Sequence, residues 1–281
     1  MSDIVCHRPQ RLDQALALLA AVPDARPLAG GQTLVAMLNL GFVEPVALIS
    51  LAALPELRGI VRTADGGLRI GAMSTHAELA DCAACTEGLA ILSDTARQIA
   101  DPAIRNAGTI GGACAHGDPV ADWPAALLAA EARIELQSVR GKREVAVDAF
   151  FLDLLTTTIE PGELVSAIIV PACAGRARYR KLARVHGDFA TASVAVIGAR
   201  NGDRAKFVRI AVGACGPRPV RLAAADALLA GARVDYALAE RAGALLAQAI
   251  DPIDDVRGSA AYRRRVLPAL VAATVMEVLQ T

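Results

Sequence analysis

Along the chain, apolar positions alternate between helical and extended spacing. Leu12, Ala15, Leu16 and Leu19 recur with the period of one helix face, predicting a helix over Arg11 to Ala21 that Pro23 ends. A short strand, Pro27-Leu28-Ala29, runs into Gly30-Gly31, and Val46 to Leu51 reads as a buried strand. Leu57 to Arg62 and Leu68 to Gly71 flank Asp65-Gly66-Gly67, a hairpin turn. Asp94 to Ala100 reads as a helix stopped by Asp101-Pro102. Gly108 to Pro124 has no apolar period and reads as loop. Trp123 to Ala132 then reads as a helix.

Further strands are predicted over Ile134 to Val139 and Glu144 to Val147, about Arg140-Gly141-Lys142, and over Leu164 to Val170. The last third reads as extended over Tyr179 to Ala183, Ala190 to Ala199 and Phe207 to Ala214. Three helices close it: Leu222 to Ala230, Tyr236 to Ile250 and Ser259 to Leu279. Strands followed by helices form a separate unit, so the class is α+β or mixed α/β, with a boundary near Pro171–Gly175.

Composition narrows the functional classes. The 281 residues carry 29 basic and 29 acidic side chains. That balance argues against a nucleic-acid binder. The longest apolar run, Ala15 to Pro23, is far shorter than the roughly 20 residues of a membrane span. The N-terminus lacks a basic-then-apolar signal pattern, and the expected location is cytoplasmic. Six scattered cysteines read as free thiols. Cys82-Ala-Ala-Cys85 has the spacing of half a zinc site or a redox dithiol, but no second pair completes it. Metal-ligand spacing is also missing among His7, His76, His116 and His186, so no metal site is expected.

Two glycine-rich segments carry the candidate chemistry. The first is Ala29-Gly30-Gly31-Gln32-Thr33; the second runs from Gly108-Thr109-Ile110-Gly111-Gly112 through Ala113, His116 and Asp118. Neither is G-x-G-x-x-G or a Walker A loop. Each reads as a tight turn or as a phosphate cradle, because residues without Cβ let successive N–H groups face one anion. Asp122 reads as a ribose acceptor or as the N-cap of the following helix. No nucleophile with a base partner lies near His116, and no catalytic side chain is assigned. The basic run Arg176 to Arg184 reads as a solvated strand face, or as a contact for an acidic partner.

These segments bear a family likeness. Ala29-Gly30-Gly31-Gln32-Thr33-Leu34, Ile104-Arg105-Asn106-x-Gly108-Thr109-Ile110-Gly111-Gly112 and Ala115-His116-x-Asp118-Pro119 resemble the FAD-binding medium subunit of molybdenum hydroxylases. That family includes the carbon monoxide dehydrogenase medium subunit and the xanthine dehydrogenase flavin domain. The likeness continues through Phe150-Phe151, Pro161-Gly162-Glu163-Leu164, Tyr179-Arg180-Lys181, Gly187-Asp188-Phe189-Ala190 and Tyr262-Arg263-Arg264.

The resemblance implies an α+β protein in three parts. Residues 1–55 form a small α/β FAD subdomain, residues 56–172 an antiparallel-sheet FAD subdomain, and residues 173–281 a three-stranded sheet with a helical bundle. It implies that FAD is held by Ala29, Gly30, Gly31, Gln32, Thr33 and Leu34 and by Thr109, Gly111, Gly112, Ala113, His116 and Asp118. Ile99 and Ala100 would lie against the flavin or its chain, Asp122 would reach the ribose or adenosine end, and Lys181 would stand near the ring. Molybdopterin and [2Fe-2S] centres would sit on a large and a small partner subunit, in a dimer of heterotrimers. Electrons would pass from the clusters through FAD to an external acceptor.

The sequence departs from the family pattern at Ala113 (usually Asn), Thr33 (often Ser), Ala36, Gly41 and Val185. Thr33 keeps the hydroxyl; Ala113, Gly41 and Val185 motivate an alternative, a flavin-free scaffold or assembly module of the same fold.

Overall fold

A computed structural model describes residues 4–280. The chain begins with β1 (Val5–His7), α1 (Leu12–Ala21), β2 (Arg26–Leu28), α2 (Leu34–Asn39) and β3 (Ala47–Ser50). Its strands form a parallel sheet in the order β1-β3-β2. Leu12, Ala15 and Leu16 of α1 are buried with Ile49, Leu51, Leu54 and Leu57, so the helical stripe legible in the sequence meets the sheet. In contrast, α2 buries no residue completely.

A second, antiparallel sheet follows. It contains β4 (Ile60–Arg62), β5 (Leu68–Gly71), β6 (Arg133–Ser138), β7 (Gly141–Ala146) and β10 (Leu164–Val170), ordered β4-β5-β10-β6-β7. Between β5 and β6 the chain forms α3 (His76–Ala80), α4 (Ala90–Gln98), α5 (Pro102–Ala107), α6 (Ile110–His116) and α7 (Trp123–Ala129). A short α8 (Val147–Phe150) and the hairpin β8 (Phe151–Asp153) with β9 (Thr156–Thr157) lie between β7 and β10.

The stretch expected as loop from Gly108 to Pro124 therefore contains a helix. Thr109 caps α6 by accepting from the Gly112 N–H, and Gly117 ends it in the left-handed region. Its inward side is held by Ile110, Gly111 and Cys114, and two of these carry too little apolar bulk to register as a period. The helix expected over 94–100 starts earlier, at Ala90, and ends at Gln98.

The last unit contains β11 (Arg176–Leu182), β12 (Ala192–Asn201), β13 (Arg204–Gly213), β14 (Val220–Arg221), α9 (Ala223–Leu229), α10 (Tyr236–Ala249) and α11 (Ala260–Gln280). Its antiparallel sheet has four strands in chain order rather than three, because the two-residue β14 pairs with Ala211 and Val212. Gly243 lets α10 approach α11 closely: a Cβ there would stand 2.7 Å from Pro268 Cα. Arg263, on α11, is fully buried. Its guanidinium donates to the Thr191 and Ile253 carbonyls and pairs with Asp255.

The last unit is joined to the middle one through β11. The Tyr179 N–H donates to Asp94 of α4 (2.7 Å), and its carbonyl accepts from Gln98 Nε2 (2.7 Å). Those side chains engage outward-facing backbone groups of an edge strand whose other side pairs with β12. The basic run of β11 is paired rather than simply solvated: Arg178 and Arg180 both meet Glu277, and Lys181 meets Asp122.

Candidate functional site

The first glycine turn leaves the parallel sheet at Leu28. Gly31 adopts a positive φ of 71°, which an L side chain rarely tolerates. Gly30 is required for a different reason: a Cβ there would stand 2.0 Å from the Ala107 carbonyl oxygen and 2.9 Å from Gly108 Cα. The first turn is thus pressed against the entrance of the second segment. Among the described residues, the backbone N–H groups of Gly30, Gly31, Gln32, Thr33 and Leu34 donate to nothing. The Gln32 side chain donates to the Gly30 carbonyl (3.2 Å) and leaves these amides clear. Thr33 stands at the head of α2, where its hydroxyl makes no capping bond.

The second segment is set by α5 and α6. Asp101 caps α5, with Pro102 at its first turn. Ile110 and Gly111 donate to the carbonyls of Ser74 (3.1 Å) and Ala72 (2.9 Å). Gly112 donates to the Thr109 hydroxyl (3.2 Å), and Ala113 to the Thr109 carbonyl (3.0 Å). The two glycines differ in direction. A Cβ on Gly111 would strike Ala72 Cβ at 2.4 Å and its carbonyl oxygen at 2.7 Å, whereas one on Gly112 would meet side chains alone, the Thr109 hydroxyl at 2.9 Å and Ala29 Cβ at 3.5 Å.

The two turns therefore converge, with Ala29 facing Gly112 and Gly30 touching Ala107. They do not contribute donors equally. Residues 110–113 satisfy their N–H groups within the protein, whereas those of residues 30–34, and that of Thr109 in the second turn, donate to no described residue.

Ile99 and Ala100 link α4 to α5. Ala100 has a positive φ of 42°, and both carbonyls accept from Arg105 Nη1, at 2.9 and 2.8 Å. Gly187, in the β11–β12 connection, crowds the Ala100 carbonyl so closely that a Cβ would stand 2.8 Å from it. His116 lies half-buried in the last turn of α6, and Asp118 accepts from the Val120 N–H at 2.9 Å. Ala113 packs against the main core.

Asp122 is buried and committed within the protein. Its carboxylate accepts from Tyr179 Oη (2.6 Å) and pairs with Lys181 Nζ (3.2 Å). Burial pushes the carboxyl upward, against the opposing pull of Lys181 and the Tyr179 hydroxyl. Burial together with the nearby Asp122 charge pushes the Tyr179 phenol upward too. Asp122 precedes α7 as an N-cap residue, yet its side chain makes no capping bond. The two residues expected at opposite ends of a cofactor are thus brought together.

His76, Arg105 and Tyr179 had no role assigned from sequence. Each acts through a contact made by the fold, so periodicity carries no signal for it. No group of three or more potential metal ligands occurs among the described residues. Cys85 is buried with its thiol pushed up to about 12, chiefly by desolvation and then by Cys82.

The free amides of the first turn, the Cβ-free backbone at Gly112 and the contact between the two turns fit a diphosphate-bearing cofactor. Comparison with known proteins agrees with that chemistry. Residues 2–173 match the family described as FAD binding domain in molybdopterin dehydrogenase, and residues 177–278 match the CO dehydrogenase flavoprotein C-terminal domain. The carbon monoxide dehydrogenase medium chain of Hydrogenophaga pseudoflava is 37% identical over 94% of this chain and 93% of its own. The nicotine 6-hydroxylase medium subunit of Paenarthrobacter nicotinovorans is 34% identical, over 96% and 95%. Among solved structures, quinoline 2-oxidoreductase from Pseudomonas putida 86 matches with a TM-score of 0.94 and 30% identity, over 99% of this chain and 97% of that one.

Proposed function

The chain belongs to the FAD-binding medium-subunit family of molybdenum hydroxylases, and from that premise we propose how its residues hold the cofactor and what it does in a complex. The amides of residues 30–34 and the Cβ-free backbone of Gly112 hold the diphosphate bridge. Thr33, whose hydroxyl makes no capping bond, adds a donor from the first turn. Thr109 shapes the second turn by capping α6. The Ile99–Ala100 link, with Arg105 and Gly187 against its backbone, forms a wall beside the flavin. FAD, when bound, supplies the redox chemistry that connects iron–sulfur centres to an external acceptor.

Asp122 and Lys181 act in this proposal as a buried, hydrogen-bonded pair that holds β11 against the cofactor segment. Tyr179 completes the pair and fixes the carboxylate. His116 and Asp118 border the outer end of the segment. The protein's contribution is to hold and orient the cofactor rather than to supply an acid, base or nucleophile.

The partners proposed are a large molybdopterin subunit and a small [2Fe-2S] subunit, arranged as a dimer of heterotrimers in the cytoplasm. Medium subunits of multi-subunit hydroxylases among the relatives support this reading. No described helix is long and apolar enough to cross a membrane. The observation that carries the cofactor assignment is the contact between two glycine turns, one of which keeps its amides free. Titrating the full chain with FAD, followed by quenching of flavin fluorescence, tests it. Stoichiometric, saturable binding is expected. A properly folded chain that binds no FAD overturns it in favour of a flavin-free scaffold.

A further inference from the structure

His76 lies outside both glycine turns yet touches both ends of the second segment. It opens α3, where Thr75 and Glu78 form a reciprocal capping box that fixes the helix start. Its N–H donates to the Gly108 carbonyl at 3.0 Å. Its ring packs on the same residue: a Cβ on Gly108 would stand 2.9 Å from both Cδ2 and Nε2. On the other side, Nδ1 accepts from Trp123 Nε1 at 3.2 Å, with ring centroids 5.9 Å apart. Trp123 is buried and directly follows Asp122.

One imidazole therefore bridges the entrance of residues 108–122, where the first turn presses on Ala107 and Gly108, and their exit at Asp122-Trp123. Because Nδ1 accepts the indole proton, the neutral ring carries its own proton on Nε2. Burial, reinforced by the Arg105 charge, lowers the pKa of His76 to about 4, so the ring keeps this form at neutral pH.

We propose that His76 is a positioning residue for the cofactor segment, holding Gly108 and Trp123 in one register so that the second turn meets the first. The inference rests on the assignment of FAD to these turns. It adds a residue that contacts neither the free amides nor Gly112. His76 acts through its neighbours. Its contribution is the acceptor atom at Nδ1 combined with a flat ring that fits against a glycine.

The test uses the full chain and three single variants. His76→Phe keeps a flat ring and removes the acceptor, His76→Asn restores an acceptor near the Nδ1 position, and Trp123→Phe removes the donor. FAD affinity is read by flavin fluorescence and folding by thermal denaturation of the apoprotein. Trp123 is the one tryptophan of the sequence, so its emission reports on this contact in the two His76 variants.

His76→Phe and Trp123→Phe are each expected to weaken FAD binding about tenfold, the scale of one buried hydrogen bond. A fourth variant that combines His76→Phe with Trp123→Phe is expected to be no weaker than either single one, and additive losses overturn the inference. His76→Asn is expected to recover most of the affinity and the wild-type Trp123 emission. Wild-type affinity in folded His76→Phe, or no recovery in His76→Asn, overturns the inference. If His76→Phe does not fold, Trp123→Phe decides: wild-type affinity there overturns it, and a loss supports it. Absence of FAD binding in the wild-type chain would instead overturn the cofactor assignment itself.

Discussion

Gly30-Gly31 and Gly111-Gly112 are the same dipeptide on the two sides of one contact, yet they perform different work. The first turn keeps its amides unbonded, and its threonine caps nothing. The second is the start of a helix whose N–H groups are all engaged, whose threonine caps it and whose first glycine is packed into the core. A glycine pair in sequence does not by itself denote a phosphate cradle. It denotes a backbone that something approaches closely, and only the surroundings decide whether that is a ligand or the protein.

This contrast can be broken by substitution. Gly111→Val should have the largest effect, because its side chain would strike the Ala72 backbone and Cβ. A loss of about 3 kcal/mol is expected from overpacking, visible as a lower Tm with or without FAD. An unchanged Tm would mean that the second turn is looser than its contacts imply.

Next in size is the acid response of His76. Its pKa in the fold, about 4, lies below the ordinary 6.5, so the unfolded chain takes up the proton first. The resulting stability is present above pH 6.5 and is lost as pH falls toward 4. The full difference is roughly 3 kcal/mol. Denaturant melts of wild type and His76→Asn across this window should converge as the pH falls. Parallel curves would remove His76 from the account.

Gly112→Val should separate binding from folding. Its Cβ meets the Thr109 hydroxyl at 2.9 Å and Ala29 at 3.5 Å, and no backbone within 4 Å. FAD affinity should fall at least tenfold, about 1.4 kcal/mol, while apoprotein stability falls by no more than about 1 kcal/mol, the scale of the Thr109 cap that the new side chain would displace. Full flavin retention would move the diphosphate elsewhere. The smallest contrast is between the threonines. Thr109→Ala should lower apoprotein stability by about 1 kcal/mol through loss of the cap. Thr33→Ala should leave stability unchanged and weaken FAD. Equal effects of the two on stability would erase the distinction between the turns.

Much of the fold was legible because its elements obey short-range rules. The stripe of Leu12, Ala15 and Leu16 predicted α1, and Asp65-Gly66-Gly67 predicted the β4–β5 hairpin, both seen in the structure. The helix α6 was missed because Gly111 and Gly112 lower helix propensity, and Gly111 buries backbone where an apolar side chain would have announced it. The β14 strand was missed because two residues cannot display an alternation.

For the site, the residue types were enough to bring out the two glycine turns and, through family likeness, a flavin. Glycine dipeptides and capping threonines leave a mark on nearest neighbours, which is all that a linear reading has. The division of labour between the turns, the commitment of Asp122 to Lys181 and Tyr179, and the bridge from His76 to Trp123 leave no such mark. Each joins residues distant along the chain. A donor is free or engaged according to which backbone folding brings within about 3 Å of it.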